Sequence, residues 1–135
     1  MNKPVPLDKP WLGPISWEPI SNLPEFIRTV DDGIKDAEEQ AAVIRQAVEN
    51  PHLFKGFPLP KMIELHKDQR DILAVYRRQI EQWRTGPLSM EQHLDLAYFE
   101  SHCIRLDALL SFSLDKLEQL RNKLAKSGRP VSPRR

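Results

Sequence analysis

The sequence predicts an all-α protein. The expected architecture is an up-down-up antiparallel three-helix bundle with coiled-coil-like packing, a long third helix and an extended Pro-rich N-terminal arm. Three observations carry that expectation. Proline leaves three long windows untouched, 25–50, 61–86 and 88–129, and an interior proline would break a helix. Each window places apolar residues largely at alternating steps of three and four, the seam of an amphipathic helix. The connections between windows are short, which makes successive helices antiparallel neighbours.

The N-terminal 24 residues hold Pro4, Pro6, Pro10, Pro14, Pro19 and Pro24, so residues 1–21 read as an extended arm. Trp11 and Trp17 sit in this segment, which cannot form a core of its own. They are expected to dock on the bundle or on a partner. No charged-then-apolar signal pattern precedes Trp17, and no apolar run approaches the roughly 20 residues that span a bilayer. A cytoplasmic protein is the expectation.

Residues 22–126 are expected to form the bundle, with helices at about 22–50, 60–84 and 89–126. The first helix takes Asn22 as N-cap, with Pro24 and Glu25 in its first turn. Its seam reads Ile27, Val30, Ile34, Ala37, Ala41, Ile44 and Val48, and keeps its phase across Gly33. The small Ala37 and Ala41 are expected to admit a close neighbour. Asn50, Pro51 and Gly56 end this helix, and Leu53, Phe54, Phe57 and Leu59 make the connection apolar enough to fold over one end of the core. The second helix presents Met62, Leu65, Ile72, Leu73, Tyr76, Ile80 and Trp83, with Gln69 as a polar seam residue that sets register or faces the bundle edge. Thr85, Gly86 and Pro87 stop it, and Ser89 with Gln92 forms a capping box for the third helix.

The third seam runs Leu96, Phe99, Cys103, Leu106, Leu110, Ser113, Leu117, Leu120 and Leu124 without interruption. At about 1.5 Å per residue this helix would be roughly 55 Å long against roughly 38 Å for the other two. The surplus is expected to leave Leu114, Leu117, Leu120 and Leu124 as a contact for the apolar loop and for a second copy. Ala97, Ile104, Ala108, Leu109 and Phe112 widen the apolar band, as in a helix that touches more than one neighbour.

Composition narrows the chemistry. Twenty basic residues against nineteen acidic give a net charge of +1, which singles out neither nucleic acid nor membrane. Cys103 is the only cysteine, so no intrachain disulfide forms, and on the seam its thiol acts as a small hydrophobe. Glu91, His93, Asp95, Glu100, His102, Cys103 and Asp107 crowd the third helix, but no Glu-x-x-His or His-x-x-x-His pair falls on one face of it. No metal, no cofactor and no catalytic residue are expected. Residues 127–135 form a basic tail expected to be disordered, and Arg121, Lys123, Lys126, Arg129, Arg134 and Arg135 could contact nucleic-acid phosphates. The same charges also suit a helix C-terminus.

The functional expectation is a non-enzymatic helical protein–protein interaction module. It would self-associate as a homodimer, or bind a helical partner, through the third helix and the arm, with Trp11, Trp17, Leu114, Leu117, Leu120 and Leu124 as anchors. The alternative is a nucleic-acid-associated accessory or regulatory protein that uses the basic C-terminal tail.

Overall fold

The computed structural model describes residues 17–56 and 58–127. They form helices α1 (Leu23–Glu49), α2 (Leu59–Arg84) and α3 (Met90–Ser127), with short 3-10 turns at Ile20–Asn22 and Pro51–Phe54 and no strand among the described residues. The three helices pack together. Trp11 and residues Arg129, Arg134 and Arg135 lie outside the described residues, as does Phe57 of the connection.

α3 is the common surface on which α1 and α2 lie. Along α1 the partners rise together: Asp31 meets His102, Glu38 meets Arg105 and Val48 meets Lys123. Along α2 they run in opposite directions, so that Arg84 meets Glu100 while Arg70 meets Asp107. The third helix begins as its sequence requires. Ser89 N–H donates to Gln92 Oε1 at 2.9 Å, and Gln92 N–H donates to Ser89 Oγ at 3.1 Å, which satisfies two backbone donors that the helix itself cannot.

The interior divides into two apolar clusters. The larger joins Leu23, Val30, Ile34 and Ala37 of α1 to Leu73, Ile80 and Trp83 of α2 and to Leu96, Phe99, Cys103, Leu106 and Leu110 of α3. Against it packs the half-buried Phe26, which touches Tyr76, Trp83 and Phe99, with ring centroids 5.2, 5.4 and 5.9 Å away. The smaller joins Ile44, Ala47 and Val48 to Leu59 and Ile63 and to Leu117 and Leu120. Between them in all three helices sits one buried residue belonging to neither cluster: Ala41, His66 and Ser113. His66 Nδ1 lies 2.9 Å from the Met62 carbonyl, so that nitrogen carries the proton, because a carbonyl can only accept. His66 Nε2 and Ser113 Oγ have no hydrogen-bond partner among the described residues.

Gly33 stays helical, as the unbroken phase of the α1 seam predicts, and its missing side chain is what brings α3 close, since a Cβ there would stand 3.0 Å from Leu106 Cδ2. Other local expectations change. Asn22 makes no side-chain cap; its Nδ2 donates instead to Glu18 Oε1. On α2, Leu65 is exposed and His66 is buried. The arm expected over 1–21 gives way to a turn at Ile20, and its last residues are held by α2. Glu18 N–H donates to Gln79 Oε1 at 2.8 Å, while Trp83 Nε1–H donates to the Glu18 carbonyl at 2.7 Å.

Gln79 is buried and clamps the backbone of Glu18 ahead of the first turn. Gln79→Ala is expected to lower stability by about 1–3 kcal/mol, because it strands the Glu18 N–H in a part-buried position. Thermal unfolding measures it, and a change within experimental error would show that the clamp is not needed.

Candidate interaction surface

The fate of Leu114 to Leu124 comes first. Leu117 and Leu120 are each 0 % exposed within the single chain, and Leu114 and Leu124 pack partly buried on the same cluster. Leu117 and Leu120 offer no open surface to a partner, which corrects their assignment as contact anchors, while Leu114 and Leu124 keep part of theirs. The reason is axial placement: α1 continues to Glu49 and α2 starts at Leu59, so both reach the level of Leu117 and Leu120. Comparing helix lengths ignores where each helix begins.

The opposite side of α3 is open and apolar. Met90, Leu94, Ala97, Ser101, Ile104 and Ala108 are all exposed, at 73 %, 65 % and 48 % for Met90, Leu94 and Ile104. Their spacing alternates four and three, and at about 100° per residue their mean direction lies about 180° from the buried seam. α3 therefore carries two parallel seams, one inside the bundle and one outside. Tyr98 and Phe112 add exposed ring surface on one shoulder of the outer seam. Phe112 is covered in part by Arg45, whose guanidinium carbon is 5.5 Å from the ring centroid, and by Lys116 Nζ at 5.4 Å.

Ion pairs to the flanking helices fix both shoulders. On the α2 side, Arg84 pairs with Glu100 at 2.6 Å and Arg70 with Asp107 at 2.8 Å. The hydrogen bond from Arg84 holds the Glu100 carboxyl below its usual range. On the α1 side, Arg105 pairs with Glu38, and Tyr98 O–H donates to Asp31 Oδ2 at 3.2 Å. Tyr98 also stacks on His102, whose Nδ1 lies 2.8 Å from Asp31 Oδ1, an ion-pair distance rather than a well-directed hydrogen bond. Such pairs contribute little stability each at the surface. They mark the roll of α3 that burial of its inner seam sets, and so show which residues face outward.

The other candidates are placed as follows. Trp17, a little over one third exposed, lines a shallow cleft together with Arg78, Glu81 and Gln82 of α2 and with Thr85 just beyond it. Arg121 is paired with Glu118, and Lys123 Nζ donates to the Val48 carbonyl at 2.8 Å, closing the end of α1. Lys126 is exposed. No group of three metal-ligating side chains occurs among the described residues. Cys103 is fully buried and burial pushes its thiol up to about 12. Among the described residues, no helix is long and apolar enough to cross a membrane. Between α1 and α2 a cleft of about 190 Å³ opens above Leu106, with Gln69, Gln40 and Asp36 among its lining residues. This is where the polar residue of the α2 seam points, toward the edge of the bundle.

Comparison with protein-family models, curated proteins and solved structures gives no match, so function must be read from the geometry itself.

Proposed function

We propose that this chain is a non-enzymatic helical interaction module that self-associates, with the outer seam of α3 as its docking surface. The bundle supports it in up-down-up order, with knobs-into-holes packing along the inner seam. One observation carries the reading: a row of exposed apolar and small side chains at heptad spacing on the solvent side of the longest helix. Among the described residues, five of the eight large exposed hydrophobic residues, Met90, Leu94, Tyr98, Ile104 and Phe112, lie on this side. Ala97, Ser101 and Ala108 between them let a second backbone come close.

An α-helix with its own apolar row fits such a surface, and α3 of a second copy supplies one. Burying a large apolar side chain is worth about 1.5–3 kcal/mol, so three of them bring an association in the micromolar range within reach once ordering costs are met. The polar side chains that could have supported chemistry have structural partners instead: Glu100 with Arg84, Asp107 with Arg70, Asp31 with Tyr98 and His102. Of the six basic residues of the alternative reading, Arg121 and Lys123 are engaged within the chain.

Sedimentation equilibrium tests the proposal. The mean mass should rise with concentration from 15.7 kDa toward twice that value. The double variant Leu94→Glu with Ile104→Glu should weaken association by at least about 100-fold, since two buried carboxylates each cost several kcal/mol. Both sites are exposed, so the variant should keep its helical circular dichroism. A variant that associates as tightly as the parent would refute the surface.

A further inference from the structure

The two shoulders of the outer seam differ in charge, and that difference selects an orientation. With Leu94, Ser101 and Ala108 as heptad position a and Met90, Ala97 and Ile104 as position d, the residues at g are His93, Glu100 and Asp107, and those at e are Glu91, Tyr98, Arg105 and Phe112. The g shoulder over its middle carries Glu100 and Asp107, each paired with an arginine of α2, and the e shoulder carries Glu91, then Arg105 paired with Glu38 of α1, and two rings. In a parallel pair of helices each g residue meets the e residue of the next heptad in its neighbour. In an antiparallel pair g meets g and e meets e.

We propose that the second copy docks in parallel and in register, α3 against α3, with each Glu100 facing the partner's Arg105. The inference rests on the outer seam being the docking surface. Glu100 closes one heptad and Arg105 is the e residue of the following one, so the two-fold axis repeats this pair on both sides of the seam. The antiparallel alternative would set Glu100 and Asp107 against the same acidic shoulder of the other copy, which costs free energy.

The flanking helices point the same way. α1 has seven acidic residues against three basic, and α2 has six basic against four acidic. α1 lies beside the e shoulder, through Glu38–Arg105, and α2 beside the g shoulder, through Arg84–Glu100. A parallel two-fold brings the acidic α1 of one copy to the side of the basic α2 of the other. An antiparallel two-fold would bring α1 to α1 and α2 to α2. Asp115, the next a position, faces its own copy in the parallel arrangement and so ends the seam after Ala108 and Ser111. The contact is confined to about the first two thirds of α3.

Single cysteines read the orientation directly. Leu94→Cys and Ala108→Cys lie at the two ends of the seam on exposed positions, and the native Cys103 is buried with its thiol held protonated, so it stays out of the reaction. The full-length variants are oxidised separately and as a mixture, beside Glu39→Cys on the exposed side of α1 as control, while the parent chain is sedimented at the same concentration. Parallel docking in register predicts that each seam variant alone gives at least about tenfold more disulfide-linked dimer than the control. Linkage only in the mixture would mean antiparallel docking and would overturn this inference while leaving the surface intact. An associating parent with no linkage in any seam sample would place the contact elsewhere, and a monomeric parent would remove the docking surface altogether; either result overturns the inference with the reading it rests on.

Discussion

Phe99→Ala is expected to destabilise the fold by about 3–5 kcal/mol, the range for emptying a fully enclosed aromatic site. Phe99 is completely buried and is the one α3 ring in a four-ring cluster, with Phe26 of α1 at 5.9 Å and Tyr76 and Trp83 of α2 at 6.0 and 6.5 Å. Neither α1 nor α2 can move into the space without losing its own contacts, because each already rests on the other through Phe26. Chemical denaturation gives the value. The neighbouring Tyr98→Ala, which removes a half-exposed ring, should cost far less, within about 1 kcal/mol. Equal losses at the two positions would mean that the roll assigned to α3 is wrong.

Leu117→Ala is expected to cost about 2–5 kcal/mol, and to cost it at any protein concentration. The side chain is covered by Ile44, Ala47 and Val48 from α1 and by Leu59 and Ile63 from α2, all within one chain. Were Leu117 covered instead by a second copy, its loss would depend steeply on concentration, because association and stability are then linked. Denaturation at two concentrations separates the cases. Ile104→Ala supplies the mirror image: about 0.5 kcal/mol or less in dilute solution, and a weakened dimer when concentrated.

Much of this was legible in the sequence wherever a helix face is apolar throughout. The α3 seam from Leu96 to Leu120 is buried at every expected position, and so is the α1 seam from Val30 to Val48. The reason is physical: uninterrupted heptad spacing leaves only one phase that removes the apolar side chains from water. The capping box at Ser89 was equally plain, because both partners are named by type and spacing.

α2 was harder to read, since its buried face includes His66 and Gln79. Hydropathy alone chooses Leu65 over its neighbour His66. The register set by Leu59, Ile63, Leu73 and Ile80 chooses His66, and packing follows register. Gln79 was invisible for another reason: it is buried to bind the backbone of Glu18, a contact 61 positions away that no local pattern reveals. The exposed seam proposed for docking was half seen. Ala97, Ile104, Ala108 and Phe112 stood out as a widened band, but a band read on a wheel does not say which part of it other helices cover. The ion pairs of Arg84, Arg70 and Arg105 supply that answer by showing where α1 and α2 meet α3.

The claim that α3 carries one seam for its own bundle and one for a second copy is tested most directly by following side-chain methyl signals of the full chain on dilution. The account predicts that the Met90 and Ile104 methyl resonances move with protein concentration along a single two-state curve, while those of Leu117 and Leu120 stay fixed. Movement at Leu117 and Leu120 with constant signals at Met90 and Ile104 would contradict it.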